Sequence, residues 1–141
     1  MKVDWLPLLE QALLGRQSKI ARREHDWVIT VIGGGSIALP IPWRIVADGR
    51  IAFANEDDGQ QLGLPAPVDG EAKANDLIAS RSITSLSIDT QTADLVIYFG
   101  DAVRLDTFSN SSGYEGWHIN LPPEIGGMSV VALGGGDVTI Y

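Results

Sequence analysis

A chain of 141 residues without a single cysteine is expected to fold as one domain with no disulfide framework, and a thiol nucleophile or thiolate metal site is excluded. Its net charge of −8 is unevenly spread: residues 1–23 set five cations against two carboxylates, a net +3, while the other 118 residues carry five cations and sixteen carboxylates, a net −11. So acidic a body repels phosphate backbones, which argues against nucleic acid as a partner and favours a basic protein surface.

Residues 6–14 are apolar, but Asp4 and Glu10 interrupt them and no small-residue cleavage pattern follows. No run approaches the ~18 apolar residues of a membrane span, so neither an export signal nor a membrane association is expected, and the chain is placed in the cytoplasm. Asp4 is the expected N-cap of a helix, with Pro7 in the first turn. Leu6, Leu9, Leu13 and Ile20 recur at helical spacing, widened by Ala12 and Leu14, and predict an amphipathic helix over 4–22. Gly15 marks a bend or break, and the cations at 16–23 are expected in the last turns, where they offset the helix's negative end. The leucine stripe must bury itself against a sheet or against a second copy, which makes a homodimer through this helix one candidate assembly.

From residue 28 onward the pattern is that of short strands. Residues 28–32 lead through Gly33-Gly34-Gly35 to 37–39, and Pro40 and Pro42 around Ile41 mark an edge or a kink. Residues 44–47 and 50–54 flank Asp48-Gly49, a type I′ hairpin signal. A plain two-residue loop puts Val46, Ile51 and Phe53 on one face and Trp43, Ile45 and Ala52 on the other. A polar, turn-rich loop covers 55–70, and a short helix is predicted over 71–80, anchored by Leu77 and Ile78. Residues 83–88 alternate as a strand. A second hairpin joins 95–99 to 102–108 through Gly100-Asp101, with Val96, Tyr98, Val103 and Leu105 on one face and Arg104 and Asp106 on the other. Residues 117–121, 128–133 and 138–141 complete the set, the last two joined by Gly134-Gly135-Gly136. The fold class is α+β, mainly antiparallel, with roughly eight or nine short strands arranged as a roll, partial barrel or two-layer sheet.

The triple glycines precede strand-like residues rather than helices, so they read as tight turns and not as phosphate loops. His25 and His118 belong to no metal-ligand spacing, and neither a metal nor a cofactor is expected. Ser111 or Ser112 with His118 and an aspartate has the composition of a nucleophilic triad, but there is no Gly-x-Ser-x-Gly elbow. Glu115 with an aspartate is the other acid–base combination. The segment Ser111-Ser112-Gly113-Tyr114-Glu115-Gly116-Trp117 concentrates two amphipathic aromatics and a carboxylate in one turn. It reads either as a corner whose rings cover the core or as a recognition patch. The candidate binding residues are Tyr114, Glu115, Trp117 and His118, with Asp57, Asp58, Gln60 and Arg44.

Pro42-Trp43-Arg44-Ile45, the loop Asp57-Asp58-Gly59-Gln60-Gln61-Leu62-Gly63-Leu64-Pro65, Pro67-Val68-Asp69, Asp94-Leu95 and Ser112-Gly113-Tyr114-Glu115-Gly116-Trp117 resemble a family of small bacterial proteins of unknown function, over residues 27–141. The resemblance brings no activity, ligand or catalytic residue; an immunity-like or accessory role is what it implies by analogy. The leading expectation is a non-enzymatic protein-binding module with an acidic surface for a basic partner. The alternatives are a small-molecule-binding protein or enzyme with a pocket near the 114–118 turn, and a structural protein that self-associates through the N-terminal helix.

Overall fold

The helical pattern at the N-terminus stops well before its leucine spacing predicts. A computed structural model of the chain describes residues 5–141, so Asp4, the expected N-cap, lies outside the described residues. Helix α1 spans Leu6–Leu13, with Pro7 in its first turn. Leu14 is already extended and Gly15 takes a φ of +82°, which turns the chain out of the helix. Arg16 Nε donates to the Ala12 carbonyl at 2.8 Å, so one of the expected cations does stand at the helix end. The next residues form strand β1, Ser18–Arg22, which corrects the helix predicted to residue 22. The seven-residue step from Leu13 to Ile20 fits two helical turns, but buried Ser18 and Ile20 around exposed Lys19 follow the period of a strand. The remaining cations are therefore strand and turn residues. Arg22 pairs with Asp58 at 3.0 Å and lies over the Trp27 ring, while Arg23 pairs with Asp26.

Eleven strands form among the described residues, more than the eight or nine predicted, β1 being one that was read as helix. A six-stranded antiparallel sheet runs β1, β2 (Trp27–Val31), β3 (Ser36–Leu39), β9 (His118–Asn120), β10 (Ser129–Ala132) and β11 (Val138–Ile140). A five-stranded antiparallel sheet runs β5 (Arg50–Ala54), β4 (Trp43–Ala47), β8 (Val103–Thr107), β7 (Leu95–Tyr98) and β6 (Ser85–Ile88). Neither closes into a barrel, and the fold is α+β. The layers meet through Trp27 of one sheet and Trp43 and Phe53 of the other, whose ring centroids lie 5.1–6.4 Å apart. Such aromatic pairs add about 0.5–1.5 kcal/mol each beyond their buried area. Leu9 and Leu13 of α1 are fully buried in the same core, so the leucine stripe is covered within the chain, and Leu8 is its exposed neighbour.

Helix α2, Gly70–Ile78, matches the predicted short helix; Asp69 caps it by accepting from Ala72 N, and Ile78 anchors it. It also protects the edge of β1. Asn75 Oδ1 accepts from Ile20 N and Asn75 Nδ2 donates to Ile20 O, both at 2.9 Å, so one amide side chain stands in for a neighbouring strand.

Both hairpins form, and in each the predicted faces need correction. Asp48 and Gly49 have φ of +52° and +79°, as a type I′ turn requires. A bulge follows: Val46 pairs with Ile51 but Ile45 pairs with Phe53, leaving Ala52 as the extra residue. The bulge moves Phe53 to the buried face with Trp43 and Ile45, and Ile51 is left exposed. In the second hairpin Phe99 N bonds to Val103 O, so three residues rather than two make the loop. One residue of register reverses the pairing of faces. Val96 and Tyr98 share the outer face with Asp106 and Arg104, and Ile97 pairs with Leu105 in the core.

The chain crosses between sheets at residues 40–42, where Pro40 and Pro42 produce the predicted kink, and returns over 108–117. Phe108 N donates to Pro42 O at 2.9 Å and ties the two crossings side by side. No helix among the described residues is long and apolar enough to cross a membrane.

Candidate functional site

The crossover end of the five-stranded sheet carries an open groove of about 900 Å³. Its floor is one cross-strand row on the outer face, Ala54–Arg44–Asp106–Val96–Ser87, in which each residue pairs directly with the next. Four strand spacings make this row roughly 19 Å wide. Pro42 and Phe108, from the two crossings, rise at its end, and Phe108 is 62% exposed. The turn at Asn55–Asp57 bounds the β5 side, and Asp89 and Asp94 bound the β6–β7 side.

Five carboxylates and two guanidiniums line this groove. Asp106 takes both arginines, Arg44 Nε at 3.1 Å and Arg104 Nε at 2.9 Å, so the cations at the centre are already engaged. Three of the four rim carboxylates are oriented by backbone amides. Asp57 Oδ2 accepts from Ala54 N at 3.0 Å, and Asp94 Oδ1 accepts from Ser109 N at 2.7 Å. Asp89 Oδ1 accepts from Gln91 N and Thr92 N, and the amides of Thr92 and then Gln91 hold its carboxyl below the usual aspartate range. The result is a rim of four carboxylates around a floor where two arginines share Asp106, with one exposed phenyl ring at its end.

The return crossing holds the 111–118 segment. Ser111 Oγ accepts from Gly113 N and Tyr114 N, Gly135 N donates to Ser111 O, and Gly116 N donates to Ala132 O. A Cβ on Gly134 would overlap the Gly113 backbone, which explains why a glycine turn lies against this corner. Trp117 is 0% exposed, and its Nε1 donates to the buried Ala93 carbonyl at 2.7 Å. It is a core residue, not a contact residue. Tyr114 points outward at 85% exposure, and with Glu115 it lines a second hollow of about 500 Å³ together with Pro40, Ile41 and Ser109. His118 Nε2 lies 3.2 Å from Glu115 Oε1 but does not line that hollow. His118 pairs with Glu115, and among the described residues no hydrogen bond joins it to the hydroxyl of Ser111 or Ser112, the residues of the triad reading.

The other candidates divide in the same way. Arg44 and Asp57 meet in the groove. Asp58 is structural: its Oδ1 accepts from Gly70 N at 2.8 Å and its Oδ2 holds Arg22. Gln60 is exposed in the long loop, where its carbonyl accepts from Val68 N. Sequence reasoning missed Phe108, Glu56, Asp89 and Asp94. Strand parity did carry a signal for Phe108, since it continues the outward series Arg104, Asp106. Among the described residues no group of three or more His, Cys, Asp or Glu side chains is placed to hold a metal ion. No protein-family model, curated protein or solved structure matches the chain.

Proposed function

We propose that the chain is a non-enzymatic protein-binding module, immunity-like or accessory in role, whose basic partner docks on the crossover end of the five-stranded sheet. The observation that carries this reading is Phe108, a large aromatic 62% exposed over a groove whose rim carboxylates outnumber its cations. Exposed aromatics beside a polar rim are the usual anchors of protein interfaces. The net −11 of residues 24–141 supports the same partner chemistry, because it accelerates encounter with a cationic surface. Tyr114, across the Pro40–Pro42 crossing, gives that partner a second aromatic contact.

The test is capture of a partner on the immobilised chain at low salt, followed by calorimetry with the purified partner. A basic protein is expected, bound about tenfold or more weakly by Phe108→Ala. With Glu56→Gln and Asp94→Asn together, the salt dependence of association becomes shallower. A partner that binds all three forms alike, with one salt dependence, refutes the reading.

A further inference from the structure

The long loop after β5 contains a turn whose sequence and conformation disagree. Gln61-Leu62-Gly63-Leu64 is closed by Leu64 N donating to Gln61 O at 2.8 Å, and φ is +51° at Leu62 and +75° at Gly63. These values nearly repeat the +52° and +79° of Asp48 and Gly49, so both are type I′ turns. At 48 the chain places an aspartate, whose short polar side chain tolerates the left-handed region. At 62 it places a leucine, whose Cβ and branched side chain are disfavoured there. Packing does not offset the difference, because Leu62 is 63% exposed and Leu64 is 50% exposed.

The tip is held in place at its neck. Gly59 N donates to Val68 O and Val68 N donates to Gln60 O, both at 2.8 Å, and Gln61 Nε2 donates to Leu64 O at 2.9 Å. A hollow of about 450 Å³ lies beside it, lined by both leucines and Pro67 and rimmed by Asp57, Asp69 and Asp76 against the single cation Lys73. Asp57 also borders the groove described above, so the two features adjoin at that residue.

We infer that the Leu62–Leu64 tip is an apolar anchor presented to a protein partner, one that offers an aliphatic or aromatic socket with a cationic rim. The acidic residues around the tip complement that rim and repel the anionic lipids a membrane-inserting loop would meet. The inference rests on the protein-binding reading, and it adds to that reading a contact element and the partner's surface chemistry.

The experiment selects random dodecapeptides displayed on phage against the immobilised full chain. The enriched peptides are then measured by calorimetry against the wild type, Leu62→Asn and Phe108→Ala. Peptides combining an apolar residue with arginine or lysine are expected, and Leu62→Asn weakens them about ten- to a hundredfold. Asparagine suits the left-handed position, so the same variant melts about 2–4 °C higher, and the lost binding is not lost folding. Peptides that bind Leu62→Asn as tightly as the wild type but lose affinity for Phe108→Ala overturn the inference and leave the groove reading standing. No enrichment at all overturns both. Flotation of the wild type, but not Leu62→Asn, with phosphatidylcholine–phosphatidylglycerol vesicles makes the tip a membrane contact and also overturns it.

Discussion

Trp117→Phe separates the structural role of the aromatic corner from any role in recognition. The Trp117 indole is fully buried and donates to Ala93 O at 2.7 Å, and Ala93 is itself 0% exposed. Phenylalanine keeps an aromatic ring but removes the donor, leaving the Ala93 carbonyl without a partner in a dry environment. An orphaned buried group costs about 1–3 kcal/mol. The smaller ring also gives up buried apolar area and leaves a void, for a further cost of about 1–2 kcal/mol. The sum, about 2–5 kcal/mol, is a large share of the roughly 5–15 kcal/mol that holds a domain folded. With a urea slope of about 2 kcal/mol per molar, the middle of the usual range, the unfolding midpoint falls by roughly 1–2.5 M. Three residues earlier, Tyr114→Ala removes a ring that is 85% exposed, so its effect stays within about 0.5 kcal/mol. Urea unfolding followed by far-ultraviolet circular dichroism measures both variants. Equal midpoints for Trp117→Phe and the wild type, or an equal loss in the two variants, would refute the assignment of Trp117 to the core.

Asn75→Leu fills the same space but leaves Ile20 N and Ile20 O unpaired at the edge of β1, and is expected to cost about 2–4 kcal/mol; hydrogen exchange should speed up along Ser18–Arg22, and unchanged protection there contradicts the clamp. Gly49→Val places a β-branched residue at φ +79°, where no neighbouring atom lies within 4 Å of an added Cβ, so backbone strain alone lowers stability, by about 1–3 kcal/mol; an unchanged melting temperature contradicts the type I′ turn. Asp89 has its folded pKa depressed by the amides of Thr92 and Gln91, so its contribution is complete above the ordinary aspartate range and is lost as pH falls through the lower folded value. A carboxyl carbon-13 titration showing an ordinary aspartate at 89 removes that prediction.

The class of fold and most strands were legible because period-two alternation and Asp-Gly or Gly-Asp turns are local signals. What failed was the sequence reading where two patterns overlap or where one residue decides. Leu13 and Ile20 satisfy a helix and an edge strand equally well, and the partner that makes the strand real, Asn75, lies 55 residues away. The bulge at Ala52 and the three-residue loop after Phe99 each shift register by one, which no composition reveals but which exchanges buried and outward faces. The candidate site was half legible for the same reason. Tyr114 and Glu115 stood out as loop residues, whereas Phe108, Asp89 and Asp94 gather only when the return crossing is laid against the β6–β7 turn. The glycine-rich runs do form turns, and close packing calls for glycine there: a Cβ on Gly35 would overlap the Asn120 carbonyl.

The acidity of the crossover end has a structural origin that bears on how the proposed binding is to be tested. Where the chain leaves the sheets, backbone amides lose their ladder partners and must find others. Here side-chain oxygens supply them, Asn55 for Trp43 N, Asp57 for Ala54 N and Asp94 for Ser109 N, and at the start of α2 Asp58 and Asp69 do the same for Gly70 N and Ala72 N. Asp57, Asp69 and Asp94 each cap the fold through an oxygen and also line the groove or the hollow beside the leucine tip, whereas Asp58 gives its other oxygen to Arg22. Stability and the proposed attraction of a basic partner therefore fall on the same residues, and an alanine scan would confuse them. Asparagine keeps an oxygen acceptor and removes only the charge, so Asp57→Asn and Asp94→Asn preserve much of the capping that Asp57→Ala and Asp94→Ala abolish. Weakened binding shared by both pairs of variants belongs to charge; a loss confined to the alanine forms belongs to the cap.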